Sequence, residues 1–331
     1  MTERAERGER TGWRSATLFV ALFVVLYAAL AAVAEVRVAR SAEDSAFQKL
    51  LAARGTRPDW IVLGASHALP LDWGGVPERL SAETGARMLV LAEAGAGPVY
   101  ADVLAQQALI DAPPARVLYV LDPFAFLARD WNAARLEDRG LLRTTPLRLS
   151  TARLLAGAVV RDGVDPRALA DYLTAFSKLN PPQRFPPAGW EGEAGFDRAA
   201  RPSRHAVESR IAYLYPPAAG PDAAGPALAA FAAMIDRVQA QGAGVVVLRL
   251  PLPAHFREAL PPVAQDLLAE VRGLLSARGV PFHDLVAALD DPALYFDTDH
   301  LNRDGVDRLW AEHLRAVLAG TQAAQANDSG D

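Results

Sequence analysis

Ser66 stands at the end of an apolar run, Ile61-Val62-Leu63-Gly64-Ala65, and is followed at once by His67. Far along the chain, Asp297-Thr298-Asp299-His300 immediately precedes the last amphipathic segment. A serine, a histidine and an aspartate are the parts of an activated nucleophile. The imidazole takes the hydroxyl proton as the oxygen attacks an ester carbonyl, and the carboxylate holds the ring in the tautomer that can accept it. The three-residue step from Asp297 to His300 lets these two meet inside one loop, with Asp299 as the rival orienting acid. Otherwise Asp299, like Asp304, is expected to cap a turn or face solvent. His67 is expected to line the cleft wall rather than act as the base, and Asp122, before Pro123, to be a strand-end turn residue. Glycines in Ala94-Gly95-Ala96-Gly97-Pro98 would let the backbone approach a substrate closely. A Gly95 or Gly97 N–H is therefore a candidate oxyanion donor beside that of Ser66.

These residues act together only if one scaffold brings both ends of the chain to one edge. Apolar runs at 60–65, 87–92, 116–121 and 244–250, with a weaker one near 281–285, alternate with helix-period segments, the signature of a mostly parallel sheet covered on both faces. Val263, Leu267, Leu268, Val271, Leu274 and Leu275 form one stripe over 263–277, stopped by Gly279. A second stripe over 303–318 has Asn302 as its N-cap and Gly320 as its terminator. Ligands in such sheets bind outside the carboxyl ends of the strands, where the Ser66 turn, the Gly95 loop and the loop before His300 would all emerge. Residues 123–225, rich in proline and holding Trp131 and Trp190, interrupt the alternation and read as a helical insertion of the kind that forms lids or substrate surfaces.

Composition narrows the chemistry further. The chain has 331 residues and a net charge of -5, with no basic stripe interleaved with aromatics, so no nucleic-acid partner is expected. With no cysteine, disulfides, thiolate metal sites and a cysteine nucleophile are excluded. The six histidines show no metal-ligand spacing, so neither a metal nor another cofactor is expected. His255 and Arg249, at the end of the fourth strand, are read as structural.

Ser15–Ala34 is a run of 20 uncharged residues, enough as a helix to cross roughly 30 Å of hydrocarbon. Arg4, Arg7, Arg10 and Arg14 precede it, which favours a cytoplasmic amino terminus and an exported body. Ala32-Val33-Ala34 also looks like a signal-peptide cleavage site, but the apolar run is longer than a signal core. The expected order is a cytoplasmic stretch 1–14, a membrane anchor 15–34, a juxtamembrane amphipathic helix within 35–57, an α/β domain 58–320 with the insertion, and a disordered tail 321–331.

With Gly64-Ala65-Ser66 as a first block and Asp297-x-x-His300 followed by Leu301-Asn302 as a last one, the chain resembles the SGNH/GDSL-type hydrolases. Within them it is most similar to the membrane-anchored DltD-like and AlgJ/AlgX-like branch. The resemblance covers about 58–122 and 240–318 together with the anchor. It implies a flavodoxin-like three-layer α/β/α parallel sheet and a catalytic set of Ser66, Asp297 and His300, with Gly95 or Gly97 standing for the glycine block. It further implies an esterase or O-acyltransferase of the periplasmic face of the cytoplasmic membrane. The implied substrate is an acylated envelope or extracellular glycan or glycolipid, with a multi-pass membrane O-acyltransferase as a possible partner. In one respect the chain departs from the family: Leu121-Asp122-Pro123-Phe124 stands where soluble members carry Gly-x-Asn-Asp, whose asparagine contacts the oxyanion. The anchored branch tends to lack it too. The alternative reading is a catalytically silent accessory protein that keeps the fold and binds such an acyltransferase or a glycan.

Overall fold

The computed structural model describes residues 2–41, 45–180, 192–217 and 219–319, with residues 2–12, 221 and 223 by backbone alone. The expected disordered tail, Gly320 as a terminator, and Trp190 lie outside the described residues. In chain order the elements are α1 (Thr2–Ala39), α2 (Ala46–Ala52), β1 (Trp60–Gly64), α3 (Leu69–Trp73), α4 (Val76–Thr84), β2 (Met88–Val90), α5 (Pro98–Asp111) and β3 (Arg116–Val120). The long segment before the next strand holds α6 (Ala133–Leu136), α7 (Arg139–Thr144), α8 (Leu149–Arg161), α9 (Pro166–Thr174), α10 (Phe176–Leu179), α11 (Arg204–Leu214) and α12 (Pro221–Ala240). The chain then forms β4 (Gly244–Arg249), α13 (Ala254–Arg257), α14 (Pro262–Ser276), β5 (Phe282–Asp284) and α15 (Arg303–Leu309), which runs on through a π-turn at Trp310–Leu314.

The five strands make one sheet of order β2-β1-β3-β4-β5, every pair parallel. This is the flavodoxin-like order, with its switch point between β1 and β3. Alternate side chains explain why the strands read as continuous apolar runs. Ile61, Leu63, Val117, Tyr119, Val245 and Val247 pack on the face covered by α5, α12 and α14. Trp60, Val62, Leu118, Val120, Val246 and Leu248 pack on the face covered by α3, α4 and α15. In β1, β3 and β4, with both faces buried, no polar residue interrupts the alternation between the strand ends.

The expected single helix within 35–57 is not what forms. The first helix ends at Ala39 and the second starts after Ser45. The second buries Phe47 and Leu50, with the Phe47 ring edge-on to Tyr100 of α5 at 6.2 Å, and to reach that contact the chain must leave the axis of α1. The first helix contains one stretch, Trp13–Ala39, apolar and long enough to cross a membrane, with a mean hydropathy of 2.6. Most of it is exposed, apart from a stripe at Tyr27, Ala31, Ala34, Glu35 and Val38 that turns toward the body. There Tyr27 Oη donates to the Thr174 carbonyl at 2.7 Å, Leu147 N–H donates to Glu35 Oε1 at 2.7 Å, and Lys178 pairs with Glu35.

Candidate active site

The strand β1 stops at Gly64 because its backbone there has φ of +153°, and a Cβ would lie 2.9 Å from both Cβ and the carbonyl oxygen of Val120. Only glycine tolerates that combination. The chain turns and delivers Ser66 as the first residue of a 3-10 turn, Ser66–Ala68, at the carboxyl end of the sheet.

The loop carrying His300 is pinned from several sides. Tyr295 and Leu301 form an antiparallel bridge, Phe296 N–H donates to the His300 carbonyl at 3.0 Å, and the Tyr295 hydroxyl donates to the Leu289 carbonyl at 2.6 Å. Asn302 caps α15 by accepting from Gly305 N–H at 2.9 Å, as its place before the last helix predicts, while its amide donates to the Arg198 and Ala293 carbonyls. Asp297 accepts from the backbone N–H groups of Asp299 and His300 through Oδ1, folding the Asp-x-x-His step into a tight turn.

That turn sets the side chains. His300 Nδ1–H donates to Asp297 Oδ2 at 2.8 Å, with Oδ1 at 3.0 Å, which leaves Nε2 as the acceptor. The Ser66 hydroxyl lies 2.9 Å from that Nε2. Phe296 stacks on the imidazole at 5.5 Å and 18°, restricting its rotation. Asp299, the rival acid, is 3.6 Å from Nδ1, beyond hydrogen-bond reach.

Asp122 is the strand-end turn residue expected, its carbonyl accepting from Ala125 N–H at 3.1 Å, but its side chain, with those of His67 and Asp299, does more than the turn, wall and surface roles expected of them. Both His67 nitrogens face carboxylate oxygens: Nδ1 lies 2.6 Å from Asp122 Oδ1, and Nε2 lies 3.0 Å from Asp299 Oδ2. Ionised carboxylates only accept, so the ring must donate from both nitrogens and is held as the imidazolium. Burial lowers the affinity of His67 for its second proton. The charge and hydrogen bond of Asp122, and then those of Asp299, outweigh burial and raise the pKa to about 10. Burial opposes ionisation of Asp299 too, yet the Arg210 guanidinium and then the two imidazoles hold its carboxyl well below the usual carboxylate range. Arg210, from α11, donates through Nε to both oxygens of Asp299, at 3.2 and 3.1 Å. Asp122, His67, Asp299 and Arg210 therefore form a buried line of alternating charge beside Ser66, His300 and Asp297, with the His67 ring 4.6 Å from that of His300. No spacing rule links these residues; the only advance signal is that three of the four fall at strand ends or in the histidine loop.

His67, Asp299 and His300 offer ligand atoms within 4.8 Å of one another. A cation placed among them would have to displace a bonded carboxylate or Ser66 and would face the Arg210 guanidinium, so the donor set fits protons better than a metal.

The two glycine candidates diverge. Gly97 N–H donates to the Trp131 carbonyl at 2.5 Å, so it is not available to a substrate, contrary to the expectation for that position. The reason is packing: the chain leaving β3 is laid across the start of α5, and a Cβ on Gly97 would sit 2.5 Å from the carbonyl oxygens of Ala125 and Trp131. Gly95 instead lines a cavity of about 720 Å³ together with Ser66. Among the described residues, neither its N–H nor that of Ser66 gives a hydrogen bond to another group. Asn132, the nearest asparagine in sequence to the missing block, directs its amide to the Ala125 and Ala128 carbonyls. The cavity wall is aromatic on one side, with Phe124, Trp131 and Tyr213, and Arg135 and Arg210 border it. Arg249, expected to be structural, is buried and lies 3.7 Å from Asp284 of β5.

No family model and no curated protein matches the chain. Among solved structures it is similar to a candidate acylhydrolase of Bacteroides fragilis, at 11% identity over 83% of this chain and 94% of that one, with a TM-score of 0.41. It is likewise similar to a GDSL-like lipase of Bacteroides thetaiotaomicron, at 10% identity over 80% of this chain and 89% of that one, with a TM-score of 0.39.

Proposed function

We propose that the chain is a serine esterase or O-acyltransferase of the SGNH type. It would be anchored in the cytoplasmic membrane with its body on the outer side, acting on an acylated envelope or extracellular glycan or glycolipid. The observation that carries this reading is the hydrogen-bonded line from Asp297 through His300 to Ser66, opening on the cavity. Ser66 Oγ attacks the ester carbonyl carbon while its proton passes to His300 Nε2. The Ser66 and Gly95 N–H groups receive the oxyanion. As the ester C–O bond breaks, His300 returns the proton to the departing alcohol oxygen, leaving an acyl-enzyme. Water or a sugar hydroxyl then attacks the acyl carbon, its proton taken by His300, and Ser66 is regenerated. Asp297 keeps Nδ1 protonated throughout, so that Nε2 faces the serine. Trp131 and Tyr213 give the cavity aromatic faces on which a sugar ring packs. The insertion that supplies Trp131 and α11 would set the choice between water and sugar, and a multi-pass O-acyltransferase would supply acylated substrate.

One observation favours a second reading, an accessory protein that binds glycan without turnover. With Gly97 N–H and the Asn132 amide both engaged elsewhere, two oxyanion donors remain in place of three. A serine-directed fluorophosphonate probe separates the two. The full chain in detergent is expected to be labelled at Ser66, and Ser66→Ala is not. A folded wild type that takes no label would overturn the catalytic reading and leave the accessory one.

A further inference from the structure

The bond between Tyr27 and Thr174 joins the middle of the apolar helix to a corner of the body. Tyr27 lies seven residues before Ala34, the last residue of the uncharged run, and at 1.5 Å per residue this is about 10 Å along the helix. The hydrocarbon half-thickness of a bilayer is about 15 Å. If α1 crosses a bilayer, the carboxyl end of α9 and the start of α10 are therefore at hydrocarbon depth.

The surface of that corner is built accordingly. The outward positions on its last turn and on the start of α10 are Ala170, Leu173, Thr174 and Phe176, none of them charged. Leu173 is 54% and Phe176 47% exposed. Leu147 and Leu149 continue the patch at 46% and 67% exposed, at the level where Leu147 N–H meets Glu35. Charge gathers at that upper level. Lys178 is buried against Glu35, Arg139 lies 5.0 Å over the Phe176 ring and donates to the Asn180 carbonyl, and Arg37 and Arg40 close the helix. An apolar tip below a belt of paired charge matches the boundary between acyl chains and headgroups.

We propose that the corner formed by α9, α10 and the segment before α8 is a membrane-embedded surface, in which Leu173 and Phe176 lie among lipid acyl chains beside α1. The body is then seated in the bilayer rather than tethered above it. The proposal rests on α1 crossing the membrane and is independent of the chemistry at Ser66.

The chain has no cysteine, so single labels can be placed at will. In the full-length protein reconstituted in phosphatidylcholine nanodiscs, Leu22→Cys, Leu173→Cys, Phe176→Cys and Ala82→Cys would each carry an environment-sensitive fluorophore. Leu22 reports α1 itself. Ala82, on α4 across the sheet, reports the aqueous face. Lipids carrying a nitroxide high on the acyl chain are expected to quench the labels at 22, 173 and 176 several-fold more than the label at 82, and aqueous iodide to do the reverse. Quenching at 22 with aqueous behaviour at both 173 and 176 would overturn the embedded corner while leaving the anchor standing. Aqueous behaviour at 22 as well would overturn both.

Discussion

At the scale of single residues, two imidazoles in ring contact are given different partners by their surroundings. His300 has one carboxylate on Nδ1 and a hydroxyl on Nε2, the arrangement of a base. His67 has a carboxylate on each side and is a fixed cation. On p-nitrophenyl acetate, Ser66→Ala is expected to lose roughly 10⁴-fold or more in turnover. Its midpoint of thermal unfolding should stay close to wild type, because the hydroxyl adds little packing. Asp297→Asn should cost less than His300→Ala, roughly 10²- to 10⁴-fold, since it disturbs the ring without removing it. The cation predicts a stability profile. Its folded pKa of about 10 is above the unfolded value of about 6.5. The stabilisation is therefore complete below about pH 6.5 and is lost as pH rises through about 10. Denaturation midpoints should fall steadily between about pH 6.5 and 10 in the wild type, and this loss should be much smaller in His67→Phe. That variant should itself be less stable at pH 7 by about 3–5 kcal/mol, since Asp122 and Asp299 are left buried without their shared partner. A His67→Phe protein with the wild-type alkaline profile would place the titration elsewhere. The meeting of Ser66, Asp297 and His300 was legible because the three sit at element ends, whereas His67 and Asp122, 55 residues apart, meet only once β1 and β3 are laid side by side.

At the scale of elements, the fold follows from where apolar residues run on without interruption. The strands β1, β3 and β4 stand within one or two residues of their expected ends, because burial on both faces leaves charged residues only at strand ends, Arg116 and Arg249. The broken helix after the anchor was not legible, since Phe47 and Leu50 continue a helical period while the surface they bury against lies off its axis. Nor did the sequence separate Gly95 from Gly97. Both sit in one glycine-rich loop, and only the path of the chain after β3 decides which amide is occupied. Gly97→Ala and Gly273→Ala should accordingly have opposite signs. A Cβ at 97 would press on two carbonyl oxygens at 2.5 Å, so a loss of at least about 2 kcal/mol in urea unfolding is expected. A Cβ at 273, inside α14, meets nothing within 4 Å and should add about 0.5–1 kcal/mol. Equal effects at the two positions would mean that the entry of the insertion yields to the added methyl.

At the scale of the whole molecule, the sheet gathers three separate loops at one edge, and a single apolar helix runs out from the body. The span was legible from composition alone, because 20 residues without a charge have few other uses in water. Its contacts with α9 and α10 were not, since a stripe of Tyr27, Ala31 and Glu35 carries no mark of what it faces. If the four leading arginines set orientation, an alkaline phosphatase fused at the carboxyl terminus should be active and should remain in the membrane fraction through a carbonate wash. Activity of a cytoplasmic reporter at that position would reverse the topology. Soluble active fusion protein would instead indicate cleavage near Glu35.

Ser66 and His300, the proposed nucleophile and base, are 234 residues apart, just after the first strand and just before the last helix. The first three strands can pair soon after they are made, but a nascent chain holding them carries an ordinary serine with no imidazole to accept its proton. With Ser66 as the proposed nucleophile, its reactivity toward esters arrives only once the loop of Asp297 and His300 has been made, so the order of synthesis acts as a timer. Chains ended before Asp297 should remain unlabelled by fluorophosphonate even where the β1–β3 portion resists protease. Under the proposed reading, a chain synthesised against a membrane rich in ester-linked lipids is in this way kept inert until that loop has joined the sheet.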